Sequence, residues 1–297
     1  MKTLLLGEQT QLIKNISKNN DLELIYYEKF HFSNSNFIYQ FKADSGIENL
    51  SIIVDLSLNL NENLWGLFFV LNFLREKKIS IKKIIFPYFP YSRSNNKLEN
   101  CTSGLYTIIH YLNQNSIEEI IIFDPHFKGQ ELPFKAIIKT ITQEQIFHDI
   151  LKNKKFDQAL IVGPDKGSIE RVKEMSKAFN IKSVTFNKQR NGHDEIVQII
   201  IPDFVRNEIE KCNYFLIFDD EICSGDTLKQ TINAIIQINR KAFIDVYITH
   251  NFINTDGGEI FHNVNNIYIS NSIHNEFSHP NLTKIDLTNQ IIDQIDI

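Results

Sequence analysis

The stretch FLIFDDEICSGDTL, residues 215–228, decides the fold. Its apolar run Phe215 to Phe218 stops on Asp219 and Asp220, and a small-residue turn, Ser224-Gly225-Asp226-Thr227, then leads into the helical pattern TLKQTINAI. A strand that delivers acids and a small loop to a helix start is how α/β proteins hold a phosphorylated ligand. Gly225 lets the backbone approach the anion, Ser224 and Thr227 offer hydroxyls, and the helix start presents unpaired N–H groups at its positive end. Asp219 and Asp220 suit a ribose diol or a metal-bound polyphosphate, because carboxylates accept from hydroxyls and ligate Mg2+. Asp226 places a third acid inside an anion cradle, which requires a physical reason.

Working outward, short β-branched and aromatic runs alternate with longer amphipathic ones, the pattern of an α/β fold with mostly parallel strands. The expected strands are SIIVDL (51–56), KKIIFPYF (82–89), EEIIIFD (118–124), ALIVG (159–163), KSVTF (182–186), YFLIFDD (214–220), AFIDVYIT (242–249) and NIYIS (266–270). Ligands in open α/β sheets bind beyond the carboxyl ends of strands, so Asp55, Arg93, Asp124, His126, Asp165, Asp219 and Asp220 are candidates; each is equally a turn or cap residue taken singly. Neither a Walker-type glycine loop nor a G-x-G-x-x-G occurs, so a phosphate must be held otherwise. The apolar run LWGLFFVLNFL (64–74) reads as a buried helix, too short to span a bilayer.

The 297 residues suggest two domains, with a boundary near the helix TQEQIFHDILKNKK. A net charge of −5 argues against a nucleic-acid surface. Three cysteines without C-x-x-C spacing point neither to a disulfide framework nor to zinc, which makes the cytoplasm the expected compartment. The MKTLLLGEQT start is too weakly apolar for a signal peptide.

FLIFDDEICSGDTL resembles the phosphoribosyl-binding motif of type I phosphoribosyltransferases and of ribose-phosphate diphosphokinases (PRPP synthetases). Four further segments, in the order of the second family, select it. FPYFPYSRSNNK (86–97) is similar to its ATP-binding segment, IIIFDPHFKGQ (120–130) to its Asp-x-His segment, IVGPDKGSIERVK (161–173) to its Ser-Pro-Asp-x-Gly-Gly loop, and FNKQRNGHDEIV (186–197) to its mobile catalytic loop. The resemblance implies two tandem phosphoribosyltransferase-like α/β domains: 1–142, with 285–297 packing back on it, and 143–284. It implies transfer of the β,γ-diphosphoryl group of Mg-ATP to the anomeric hydroxyl of ribose 5-phosphate, giving AMP and PRPP. It also implies a homo-oligomer, dimer or hexamer, and neither a nucleic-acid nor a membrane partner.

By the same resemblance Lys188 and Arg190 are the catalytic cations, Arg93, Lys97 and His126 bind ATP, and His126 and Asp165 are the metal ligands. Asp219, Asp220, Cys223, Ser224, Gly225, Asp226 and Thr227 bind the ribose phosphate. Diphosphoryl transfer needs positioning and charge stabilisation, and cations in a Gly-containing polar loop meet that demand. The chain departs from the family at four places: KFHFSNSNF (29–37) lacks the Asp-Gly-Glu element that contacts adenine, Arg93-Ser94-Asn95 replaces Arg-Gln-Asp, Ser168 replaces a loop glycine, and Cys223-Ser224-Gly225-Asp226-Thr227 replaces Asp-Thr-Gly-Gly-Thr. A free phosphate monoester is mostly dianionic at pH 7. Another negative charge about 4 Å away costs roughly 4 kcal/mol at an effective dielectric near 20. Asp226 therefore favours either an acceptor whose 5-phosphate is esterified, such as ADP-ribose, which would yield ADP-ribose 1-diphosphate, or a plain role as a helix cap. A phosphoribosyltransferase and a non-catalytic regulatory homologue remain as other readings.

Overall fold

Asn49–Val54 and Ala159–Gly163 are apolar at almost every position, and a computed structural model shows both covered on the two faces of a sheet. The structure describes residues 2–42, 47–95, 100–127, 131–191, 196–253 and 257–295. These fall into two units, one formed by residues 1–141, 272–274 and 286–297, the other by residues 142–271 and 275–285.

The first unit runs β1 (Lys2–Leu6), α1 (Gln11–Ile16), β2 (Glu23–Ile25), β3 (Tyr27–His31), β4 (Phe37–Phe41), β5 (Asn49–Val54), α2 (Leu60–Glu76), β6 (Ser80–Phe86), α3 (Gly104–Asn113), β7 (Ile117–Phe123) and β8 (Ile137–Ile141). Six strands form a parallel sheet in the order β2-β1-β5-β6-β7-β8, and β3 and β4 form an antiparallel ribbon. Leu4, Ile52, Leu67, Leu71, Ile84, Ile108 and Ile120 share its core. The 286–297 segment closes this unit with the helix Thr288–Ile292, burying Leu287, Ile291, Ile292 and Ile295. Asn15 Nδ2 donates to Asp286 Oδ2 at 3.0 Å, and the Lys83 ammonium donates to the Gln294 carbonyl at 2.9 Å.

The second unit runs α4 (Gln143–Leu151), β9 (Ala159–Gly163), α5 (Ile169–Phe179), β10 (Lys182–Thr185), β11 (Asn187–Asn191), β12 (Ile196–Ile200), α6 (Asp203–Lys211), β13 (Tyr214–Ile222), α7 (Asp226–Ile238), β14 (Phe243–Asn251), β15 (Asn266–Ser270) and β16 (Leu282–Ile285). Its parallel sheet has the order β10-β9-β13-β14-β15-β16, with β11 and β12 as an antiparallel ribbon. A capping box, Thr142 with Gln145, starts α4. At the amino ends of the central strands the Lys154 ammonium donates to Asp245 Oδ2 at 2.5 Å and to the hydroxyls of Tyr214, Tyr247 and Tyr268 at 2.9 to 3.2 Å. This network satisfies a carboxylate that is wholly buried.

The sheets match the expected α/β class. Four strands in them, β1, β2, β8 and β16, stand outside the expectation: β2, β8 and β16 are edge strands, short, half-exposed and so weakly apolar in pattern, whereas β1 is an inner strand whose five residues, KTLLL, are too short a run to declare a period. The 64–74 run is helical but not buried throughout. Leu67, Val70, Leu71 and Leu74 form a buried stripe, whereas Trp65 is 55% and Phe69 46% exposed, because a helix covers only one face of its partner sheet. Among the described residues no helix is long and apolar enough to cross a membrane.

Candidate active site

β13 carries the second unit's chemistry. It runs on to Ile222, two residues past the expected end, so Asp219 and Asp220 sit inside the strand and not in the loop. Asp220 is buried, and its Oδ2 lies 3.3 Å from the Arg171 guanidinium, which reaches it from the first turn of α5. Burial first, and then the charge of Asp220, push the Asp219 carboxyl well above the usual carboxylate range, against the pull of Arg171. A carboxyl raised by burial and by the acid beside it is a setting that favours protonation, hydroxyl donors or an added cation.

Beyond the pair, Glu221 is buried and accepts from the Cys223 thiol at 3.2 Å. Ser224 and the exposed Cys223 lead to Gly225, whose φ of 76° lies in the left-handed region that glycine adopts without strain. A Cβ at this position would also collide with the Ile260 side chain. Gly225 is the N-cap of α7 and offers no side-chain acceptor, so the loop 223–227 turns backbone toward whatever it holds. The Asp226 backbone N–H approaches Ser224 Oγ at 3.5 Å, and Thr231 Oγ donates to the Thr227 carbonyl at 2.9 Å. Asp226 itself is not the cap: it is the first residue of the helix, exposed, and its carboxylate makes no hydrogen bond or ion pair among the described residues.

Asp165 follows β9 and caps the short turn Lys166–Ser168, accepting from the Gly167 N–H at 2.9 Å. Ser168 is buried, donates to the Asp165 carbonyl at 2.6 Å, and occupies the space where a side chain at Gly163 would go. The serine thus trades the family's second glycine for a hydroxyl that ties the turn together. Lys188 and Arg190 do not lie in an irregular loop. They belong to β11, opposite Ile199 and Val197 of β12, because the flanking residues pair as a ribbon.

In the first unit the exposed Arg93 lies in the turn Ser92–Asn95, between β6 and α3, next to the buried Ser92. Ser94 Oγ donates to the Tyr91 carbonyl and Ser103 Oγ to the Ser94 carbonyl, both at 2.8 Å, which holds the turn in place. Asp124, at the end of β7, is buried with φ 37°, a costly conformation for a residue with a side chain, and the exposed His126 stands two residues on. Asp55 has a structural role: its carboxylate accepts from the Thr10 hydroxyl at 2.6 Å and the Ser57 N–H at 2.9 Å. Lys97 lies outside the described residues.

Among the described residues no three His, Cys, Asp or Glu side chains converge on a cation position. Mg2+ fits the donor set nonetheless, since it takes one or two carboxylates and completes its shell with substrate phosphates and water, and Asp165, Asp219 and Asp220 are hard oxygen donors at one sheet end. Arg171 escaped the sequence reading. Its signal was present: it lies between Ser168, Val172 and Met175 on the buried stripe of α5, where an arginine implies a buried partner.

A family model described as the N-terminal domain of ribose phosphate pyrophosphokinase matches residues 1–127. Similar curated proteins include a ribose-phosphate pyrophosphokinase of Thermoplasma acidophilum, 24% identical over 94% of each chain. Another, from Pyrococcus abyssi, is 26% identical over 78% of each chain. The structure resembles that of the phosphoribosylpyrophosphate synthetase from Mycobacterium smegmatis with a TM-score of 0.79, at 14% identity, covering 99% of this chain and 97% of the other.

Proposed function

We infer that this chain, a divergent member of the ribose-phosphate pyrophosphokinase family, transfers the β,γ-diphosphoryl group of Mg-ATP to the anomeric hydroxyl of a ribose 5-phosphate unit, giving AMP and PRPP. The observation that carries this reading is the acid pair Asp219 and Asp220, with Arg171 against Asp220, beside a glycine-capped helix start. The pair accepts from the ribose 2- and 3-hydroxyls, and the 223–227 loop holds the 5-phosphate against the positive end of α7. When bound, Mg2+ would neutralise the polyphosphate, and Asp165 would be its ligand in the second unit. Lys188 and Arg190 supply positive charge to the diphosphoryl unit, and Arg93, Lys97 and His126 orient the nucleotide.

A second reading has its own observation. The exposed carboxylate of Asp226, which has no partner among the described residues, stands at the start of α7 beside the 223–227 loop, where it opposes a dianionic monoester more than a phosphate that is substituted through an anhydride and carries one charge. An acceptor such as ADP-ribose, giving ADP-ribose 1-diphosphate, meets that condition.

Incubation with Mg-ATP and either ribose 5-phosphate or ADP-ribose, followed by separation of the nucleotides, tests the reaction. AMP should form in step with a diphosphorylated acceptor, and K188A and R190A should each lower kcat by about 10² to 10³, the scale of removing one charge-stabilising donor. ADP as the sole product, or no turnover with either acceptor, would reject the reading.

A further inference from the structure

α7 does more than begin beside the phosphate loop. Lys229 lies one turn into it, donating its backbone N–H to the Gly225 carbonyl at 2.9 Å, and Ile232 and Asn233 follow one turn further on the same face. Against this face lies the short turn Gly257–Phe261 and the residues after it, and the two enclose a groove of about 360 Å³. The groove and the phosphate loop share a wall: Ile260 lines the groove and is also the side chain that a Cβ on Gly225 would strike.

The lining is chemically mixed. Ile232 and Ile260 form an apolar floor, His262, Asn233 and Asn263 bring amide and imidazole groups, and Lys229, four residues past Gly225, brings a cation. The Lys229 ammonium lies 3.8 Å from a Glu259 carboxylate that is 90% exposed. Such a pair contributes about 1 kcal/mol or less, so an incoming anion displaces Glu259 at little cost. The volume is at the lower end of pockets that hold a compact organic ligand, and two isoleucines among five polar or charged side chains suit a ligand with both a charged and an aromatic part.

We propose that this groove receives the substituent of a 5-phosphate-substituted acceptor: a ribose whose 5-phosphate, seated in the 223–227 loop, is joined by an anhydride bond to a second phosphate that carries a nucleoside. Lys229 meets the second phosphate, Ile232 and Ile260 lie against the face of the base, and His262 with the two asparagines hydrogen-bonds the polar edge of the nucleoside. Asp226 and the groove then act in one direction, the acid discriminating against a bare dianion and the groove rewarding the substituted one. The proposal rests on the diphosphokinase reading and extends its second form.

The test compares kcat/KM for ADP-ribose with that for ribose 5-phosphate, both with Mg-ATP, in the wild type and in two surface variants of α7, Asn233→Trp, which fills the groove, and Lys229→Met, which removes its cation. Each variant should lower the ratio of ADP-ribose to ribose 5-phosphate by at least tenfold, mainly through the KM for ADP-ribose. An unchanged ratio in both variants overturns the groove while leaving the use of ADP-ribose standing. A wild type that forms AMP with ribose 5-phosphate but not with ADP-ribose overturns the groove and leaves diphosphoryl transfer intact. Absence of AMP with either acceptor removes the diphosphokinase reading, and the groove with it.

Discussion

Asp226 is the single side chain at which the proposed acceptor preference can be tested. It takes the first position of α7, directly after a glycine cap, and its carboxylate is exposed without a partner among the described residues. As a helix-start acid it stabilises α7 by about 0.3 to 1 kcal/mol, less than the cost it imposes on a dianion nearby. Asp226→Gly should therefore raise kcat/KM for ribose 5-phosphate by about one to two orders of magnitude, roughly 1.4 to 2.7 kcal/mol, and leave or lower that for ADP-ribose. The wild-type handicap with ribose 5-phosphate should also shrink below about pH 6, as the monoester takes up its second proton. Steady-state kinetics with both acceptors across pH decides it; equal losses for the two in the variant would mean that Asp226 serves only the helix start. At this scale the sequence was informative where chemistry is local. Asp219, Asp220 and Gly225 sit in one short stretch, so their joint role could be read directly. Arg171 was harder to find, because its partner Asp220 is far away in sequence and only the fold brings the two to 3.3 Å.

At the scale of elements, α2 shows what periodicity reveals and what it leaves out. Its apolar run predicts a helix, and α2 (Leu60–Glu76) is one, but the run is apolar around more of the helix than the sheet covers. Trp65 and Phe69 consequently remain exposed, with Phe69 5.4 Å from Phe37 of β4 between ring centroids and the exposed Ile38 beside it. Phe37, Ile38 and Phe69 line a mostly apolar groove of about 360 Å³ in the first unit. Contiguous exposed aromatics of this kind mark an association surface, and we propose that a second copy of the chain covers it, consistent with the homo-oligomer expected from the resemblance. Sedimentation should give at least a dimer at micromolar concentration, and Trp65→Asp with Phe69→Asp should shift it to monomer. A wild type that sediments as a monomer would dispose of this surface. Edge strands and the β11–β12 ribbon were the least legible elements. Pairing partners, not local propensity, make Asn187–Asn191 a strand, and the pattern NKQRN alone reads as a polar turn.

For the molecule as a whole, the order of the chain and the order of the units differ. The chain completes the first unit's sheet at β8, builds the second unit, and then returns through residues 286–297 to close the first. Four buried aliphatic side chains, Leu287, Ile291, Ile292 and Ile295, make that closure; burying such side chains stabilises by about 1.5 to 3 kcal/mol each as an upper bound. Removing everything after Ile285 should thus cost the first unit on the order of 5 kcal/mol, a large part of an ordinary domain's stability. Hydrogen exchange resolves the units: amides of β1, β5 and β6 should lose protection while those of β9 and β13 keep it. Unchanged protection in the first unit would show that the segment is only an accessory.

This return also governs the timing of synthesis. A ribosome adds roughly 5 to 20 residues each second, so the closing helix emerges on the order of ten to thirty seconds after β8. During that interval the nascent first unit presents an uncovered apolar patch while the second is still being made, and it becomes complete only when its own last piece arrives.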